Sequence, residues 1–167
     1  AFDGRESAEW SLAVIGGGPR AVGFLERIAE NLGELWPSGR RLAVHVIDLD
    51  RDEVRYVSAG HPPTLVALAD GTRLELRDGR RPVFGVRGAV PVVGVASFPP
   101  GALLLCFTDG LFERRGVAWD DGYDELARRL VAWRAEPADR IATDLVTAID
   151  WAPDDDVAFV VARREVS

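Results

Sequence analysis

Aspartates stand at the ends of two apolar runs in this chain. Asp109 directly follows residues 102–108 (ALLLCFT), and Asp154, Asp155 and Asp156 directly precede residues 157–163 (VAFVVAR). Each run has the length and continuous apolar character of a buried strand. If the two strands pair, the carboxylates at their ends come together. Clustered carboxylates repel one another. A hard divalent cation such as Mg²⁺ or Mn²⁺ relieves the repulsion and brings a Lewis acid and an activated water. The chemistry implied is metal-assisted hydrolysis. The spacing alone equally fits a plain turn at Asp109-Gly110 and a solvated acidic loop at 154–156.

A second group of residues lies near the front. Residues 14–31 (VIGGGPRAVGFLERIAEN) fit G-x-G-x-x-A through Gly16, Gly18 and Ala21, and Asp48 closes the next apolar run. Glycines at such a turn let a pyrophosphate approach a helix N-terminus, and an acid at the end of the second strand suits a ribose hydroxyl. This segment resembles the first βαβ unit of FAD/NAD(P)-binding proteins. The same unit also occurs as a purely structural element, and the resemblance covers only about 40 residues.

The elements that must position these residues follow from pattern and punctuation. Residues 11–15 (SLAVI) form a strand that ends at Gly16-Gly17-Gly18-Pro19. Val22, Leu25, Ile28, Ala29 and Leu32 recur at helical spacing, with Gly33 as the stop. Residues 42–49 (LAVHVIDL) complete a strand-helix-strand unit, for which parallel pairing and a right-handed crossover are expected. Beyond Asp50 short strands follow at 53–58, 64–68 and 72–76, with an Asp70-Gly71 turn between the last two. Residues 82–100 are a Gly/Pro/Val stretch, the strand at 102–108 comes next, and helices are predicted near 123–133 and 137–149. The candidate core is Val14, Ile15, Leu25, Val44, Val46, Leu104, Phe107, Phe159 and Val161.

Composition excludes several classes. The chain has 167 residues, 47% of them hydrophobic, with 27 acidic against 20 basic residues and a net charge of −7. One compact core is the default at this length, and no broad positive surface exists for a nucleic-acid backbone. No apolar stretch reaches the roughly 18 residues of a membrane span, and the first ten residues do not form a signal peptide, so a cytoplasmic protein is expected. Cys106 is the single cysteine and reads as a small core residue, which fits a reducing compartment. Methionine is absent even at position 1, which predicts a processed, excised or engineered piece.

Three segments in order carry a more specific resemblance: residues 56–63 (YVSAGHPP), Pro100-Gly101 with residues 103–113 (LLLCFTDGLFE), and residues 154–164 (DDDVAFVVARR). Over roughly residues 50–165 the chain resembles PPM-type phosphatases of the bacterial sporulation and stress-response branch. That resemblance implies an αββα fold holding two Mg²⁺ or Mn²⁺ ions, phosphoserine/phosphothreonine phosphatase activity, and a phosphoprotein partner such as an anti-sigma-factor antagonist. It assigns Asp109 and Asp155 to metal-ligand positions, with Asp156 beside them. His61 within residues 56–63 reads as a structural loop histidine. The family's N-terminal G-D-x-S-G-H-G segment is missing, and glycine stands in residues 15–18 (IGGG) where its bridging aspartate would be.

The reading that results is an α/β or α+β protein. A Rossmann-like strand-helix-strand (1–50) joins a mostly antiparallel phosphatase-like part with two C-terminal helices (51–167), expected to fold as one unit. The expected function is a phosphatase domain with an incomplete metal site, weak or inactive. Two alternatives stand beside it: an FAD- or NAD(P)-binding module, and a chimera with a structural or interaction role, for instance as a homo-oligomer.

Overall fold

Strand-length apolar runs bounded by turns dominate this sequence, and the computed structural model places them in two sheets. It describes residues 9–15, 41–78, 80–81, 92–148 and 157–166. The chain divides into two units, one of Ala1–His61 with Leu76–Ser97 and the other of Pro62–Glu75 with Phe98–Ser167.

The first unit holds a sheet of β1 (Glu9–Ile15), β2 (Arg41–Asp48), β3 (Glu53–Ala59), β6 (Arg80–Arg81) and β7 (Gly94–Ser97). β1 and β2 pair in parallel from Glu9↔Arg41 to Ile15↔Ile47, as the strand-helix-strand pattern requires. The predicted helix between them and the hand of its crossover lie outside the described residues. β2 then turns back on itself, pairing antiparallel with β3 from Asp48↔Glu53 to Leu42↔Ala59. Residues 43–48 are buried without alternation, which explains their nearly continuous apolar run.

β7 went unanticipated in the Gly/Pro/Val stretch, because GVAS carries no alternation of apolar and polar residues. It pairs antiparallel with β3, Gly94 opposite Tyr56. A Cβ on Gly94 would lie 2.3 Å from Tyr56 Cζ. The strand therefore needs glycine at the position where the tyrosine ring fills the space.

The second unit is built on a sheet ordered β5-β4-β8-β9, with β4 at Thr64–Ala67, β5 at Arg73–Leu76, β8 at Leu103–Phe107 and β9 at Phe159–Arg163. The Asp70-Gly71 turn forms as expected. Gly71 has φ +89°, its N–H donates to Leu68 O (2.9 Å), and Thr72 N donates to Asp70 Oδ1 (2.8 Å). β8 lies between β4 and β9, and all five of its residues are buried. Each such leucine contributes about 1.5–3 kcal/mol over an exposed one.

Two helices cover this sheet: α1 (Trp119–Ala132) and α2 (Ala138–Ala148). α1 buries Tyr123, Leu126, Ala127 and Leu130, a spacing that keeps one stripe on the core, and α2 adds Ile141 and Leu145. Pro137 separates the helices. Arg163 of β9 donates through Nη2 to the carbonyl oxygens of Trp133 and Glu136, tying the interhelical loop to the sheet.

Of the candidate core, Val44, Val46, Leu104 and Phe107 are buried, and Phe159 and Val161 are partly buried against the cluster that contains Phe107. The side chains of Val14, Ile15 and Leu25 are outside those described. Among the described residues no helix is long and apolar enough to cross a membrane.

Candidate functional site

Asp109 begins where β8 ends. Antiparallel pairing with β9 runs from Leu103↔Arg163 to Phe107↔Phe159, and one further rung is made by Thr108 and Ala158. Thr108 N donates to Ala158 O (2.9 Å), and Ala158 N donates in return to the Thr108 hydroxyl Oγ1 (2.9 Å). Directly beyond, Asp109–Leu111 forms a single 3₁₀ turn, closed by Leu111 N to Thr108 O (3.2 Å) and Phe112 N to Asp109 O (3.0 Å). Asp109 is partly buried, and its Oδ1 is shielded from solvent.

Packing fixes this turn from both sides. Phe107 and Phe112 meet edge to face at 5.7 Å between ring centroids, and Tyr123 lies against both, 6.1 Å and 5.7 Å away. Trp119 stacks on Tyr123 at 5.2 Å and an interplanar angle of 9°. Tyr123 in turn donates its hydroxyl to Pro63 O (3.1 Å). Offset and edge contacts of this kind add to the burial of the rings. The aspartate thus sits between two aromatic residues that α1 holds in place.

A carboxylate on a rigid turn with one oxygen withdrawn from solvent is a fitting donor for a hard divalent cation. Asp155 and Asp156, the other expected ligands, lie outside the described residues, as do Gly16, Gly18 and Ala21. Among the described residues no group of three or more His, Cys, Asp and Glu side chains is arranged to hold a metal ion.

Asp48, read from the sequence as a ribose-binding acid, is buried at the end of β2. Its carboxylate accepts from Arg51 Nη1 (2.8 Å) and from Asp50 N (3.2 Å), inside the hairpin where Asp52 takes φ +55°. The Arg51 guanidinium holds this carboxyl below the ordinary aspartate value.

Sequence reasoning passed over His45. It is 1% exposed on β2, opposite Tyr56 of β3, and the two rings stack at 6.1 Å. Burial, and after it the nearby His61, lowers its pKa from 6.5 to about 3. The one available signal was a histidine within the apolar run 42–49. His61 is 2% exposed. Cys106 is buried near the Thr64 hydroxyl (3.7 Å), and burial pushes its thiol up to about 12.

Comparison with known proteins now bears on this geometry. The family model described as stage II sporulation protein E (SpoIIE) matches residues 18–165. The RsbU and RsbW domains of Rv1364c from Mycobacterium tuberculosis give a TM-score of 0.71 at 26% identity, over 89% of this chain and 43% of that one. The phosphatase domain of the cell fate determinant SpoIIE from Bacillus subtilis, presoaked with Mn, gives 0.68 at 16% identity, over 90% of this chain and 74% of that one. The SiaA-PP2C domain of Pseudomonas aeruginosa gives 0.58 at 19%, covering 71% and 49% of the two chains. This chain therefore spans well under two thirds of the first of these proteins. No curated protein sequence matches it.

These findings correct two expectations. The family match spans residues 18–165, across the expected boundary between residues 50 and 51, so the chimera reading is not supported. The Rossmann-like reading of residues 1–50 falls with it. β2 folds back antiparallel on β3, where a dinucleotide fold continues with parallel strands. The parallel β1–β2 pair belongs to a phosphatase-type fold.

Proposed function

Since this chain belongs to the stage II sporulation protein E family and has the fold of its phosphatase domain, we propose that it is a metal-dependent phosphoserine/phosphothreonine phosphatase domain of low or no turnover. The observation carrying this reading is the partly buried Asp109 on its 3₁₀ turn, next to the rung where β8 meets the start of β9.

Asp109, Asp155 and Asp156 are the proposed ligands of Mg²⁺ or Mn²⁺. Asp155 is two residues before Val157, so chain length alone keeps its Cα within about 7 Å of that residue. When bound, the cation supplies Lewis acidity and a water acidified toward neutral pH. These side chains would hold and orient the ion, and the packing of Phe107, Phe112 and Tyr123 supports the turn that carries Asp109. The low turnover follows from the sequence: glycine stands where the family's N-terminal bridging aspartate would complete a two-ion centre. The proposed partner is a phosphoprotein such as an anti-sigma-factor antagonist. A net charge of −7 disfavours nucleic acid.

The test is hydrolysis of p-nitrophenyl phosphate with and without Mn²⁺, alongside Asp109→Asn. The expected outcome is slow Mn²⁺-dependent turnover, or none, together with Mn²⁺ binding that Asp109→Asn abolishes. Mn²⁺ binding unchanged in Asp109→Asn refutes the assignment.

A further inference from the structure

Thr108 occupies the residue before the 3₁₀ turn, a place where threonine ordinarily caps a helix by accepting a hydrogen bond from a nearby backbone N–H. Its side chain makes no such cap. The hydroxyl instead accepts the N–H of Ala158 (2.9 Å) and lies 3.4 Å from Ala158 O, while the Thr108 main chain donates to that same carbonyl (2.9 Å). Thr108 is 4% exposed. A side chain has thus replaced one main-chain partner in the last rung between β8 and β9. The consequence is geometric. β8 can leave the ladder at Thr108 and enter the tight turn that carries Asp109 while the Ala158 N–H keeps a protein acceptor in a part-buried bond.

The geometry points to Thr108 as a positioning residue for the cation proposed at Asp109, an inference that rests on the metal-dependent reading above. Its hydroxyl fixes where β8 ends relative to the start of β9, and so fixes the origin of the Asp109 turn. A valine here keeps the β-branched shape and loses the acceptor. The Ala158 amide then lacks its partner, the last rung opens, and the Asp109 carboxylate loses its fixed origin. A serine keeps the acceptor. Packing alone predicts the opposite ranking, because valine preserves the buried volume better than serine does.

The experiment is titration of the chain with Mn²⁺, followed by the electron paramagnetic resonance signal of the free ion, for the wild type, Thr108→Val, Thr108→Ser and Asp109→Asn. The expected result is affinity reduced about tenfold or more in Thr108→Val, within about twofold of wild type in Thr108→Ser, and lost in Asp109→Asn. Circular dichroism shows whether each variant is folded. If Thr108→Val does not fold, Thr108→Ala, which cannot overfill the site, takes its place with the same expectation. Affinity in the hydroxyl-less variant equal to wild type, with Asp109→Asn still defective, overturns the role of Thr108 and leaves the metal reading standing. Weakening by serine equal to that by valine also overturns it. Absence of Mn²⁺ binding in the wild type, or binding untouched by Asp109→Asn, overturns both.

Discussion

Replacing His45 with glutamine should flatten the dependence of stability on acid. In the folded chain His45 has a pKa of about 3 against an ordinary value of 6.5, because a charged imidazole would lie in a dry sheet interior beside His61. On the same face, β3 presents Val54, Tyr56 and Ser58, and β7 presents Gly94 and Ala96.

The sign follows from the two values. Below pH 6.5 the unfolded chain takes up a proton on His45 and the folded chain does not, so stability present above pH 6.5 is lost as pH falls, until the folded form also protonates near 3. By pH 5 the loss is about 2 kcal/mol, and its ceiling is about 5 kcal/mol. Urea unfolding followed by tryptophan fluorescence at pH 7, 6 and 5 measures it. Asp48, Asp70 and Glu125, whose carboxyls are held low by hydrogen bonds, add their own losses in the carboxylate range, which is why the series stops at pH 5. A wild-type loss under about 0.5 kcal/mol across the series, or an equal slope in His45→Gln, would refute the reasoning.

Gly94→Ala should destabilise the first unit by about 1–3 kcal/mol, measured by denaturant unfolding, since the new methyl meets a Tyr56 ring that is 2% exposed and whose hydroxyl accepts from Asp78 N (3.0 Å). An unchanged midpoint would mean that β7 is not held against that ring. Cys106 should resist an aromatic disulfide reagent at neutral pH in the native state and react at once in urea, because its thiol is buried and pushed up to about 12. Rapid native labelling would show that the β4–β8 region opens readily.

The place of Asp109 at the end of a strand was legible in the sequence for a local reason. An aspartate after an apolar run reads as a strand end whatever surrounds it, and Asp109 is found there. The Asp70-Gly71 turn and the buried stripe of α1 were legible in the same way, since turn chemistry and helical period depend on neighbours in the chain. β7 was not legible, because its glycine makes sense only against Tyr56, 38 residues earlier. His45 was passed over because a histidine inside an apolar run carries no mark of its burial until β1 and β3 flank it.

By itself, the sequence determined most of the strands, the two C-terminal helices, the parallel β1–β2 pair, Asp109 at the end of an apolar run and the three family segments. Those features rest on residue type, period and spacing along one chain. Only the tertiary structure decided that Thr108 gives its hydroxyl to Ala158, that Asp48 is held by Arg51 within its own hairpin, and that β2 returns antiparallel on β3. Hydrogen bonds and packing join atoms that are close in space, and threonine or aspartate can satisfy several partners equally well. Which one each takes is fixed only when the register of the strands brings a particular donor within reach.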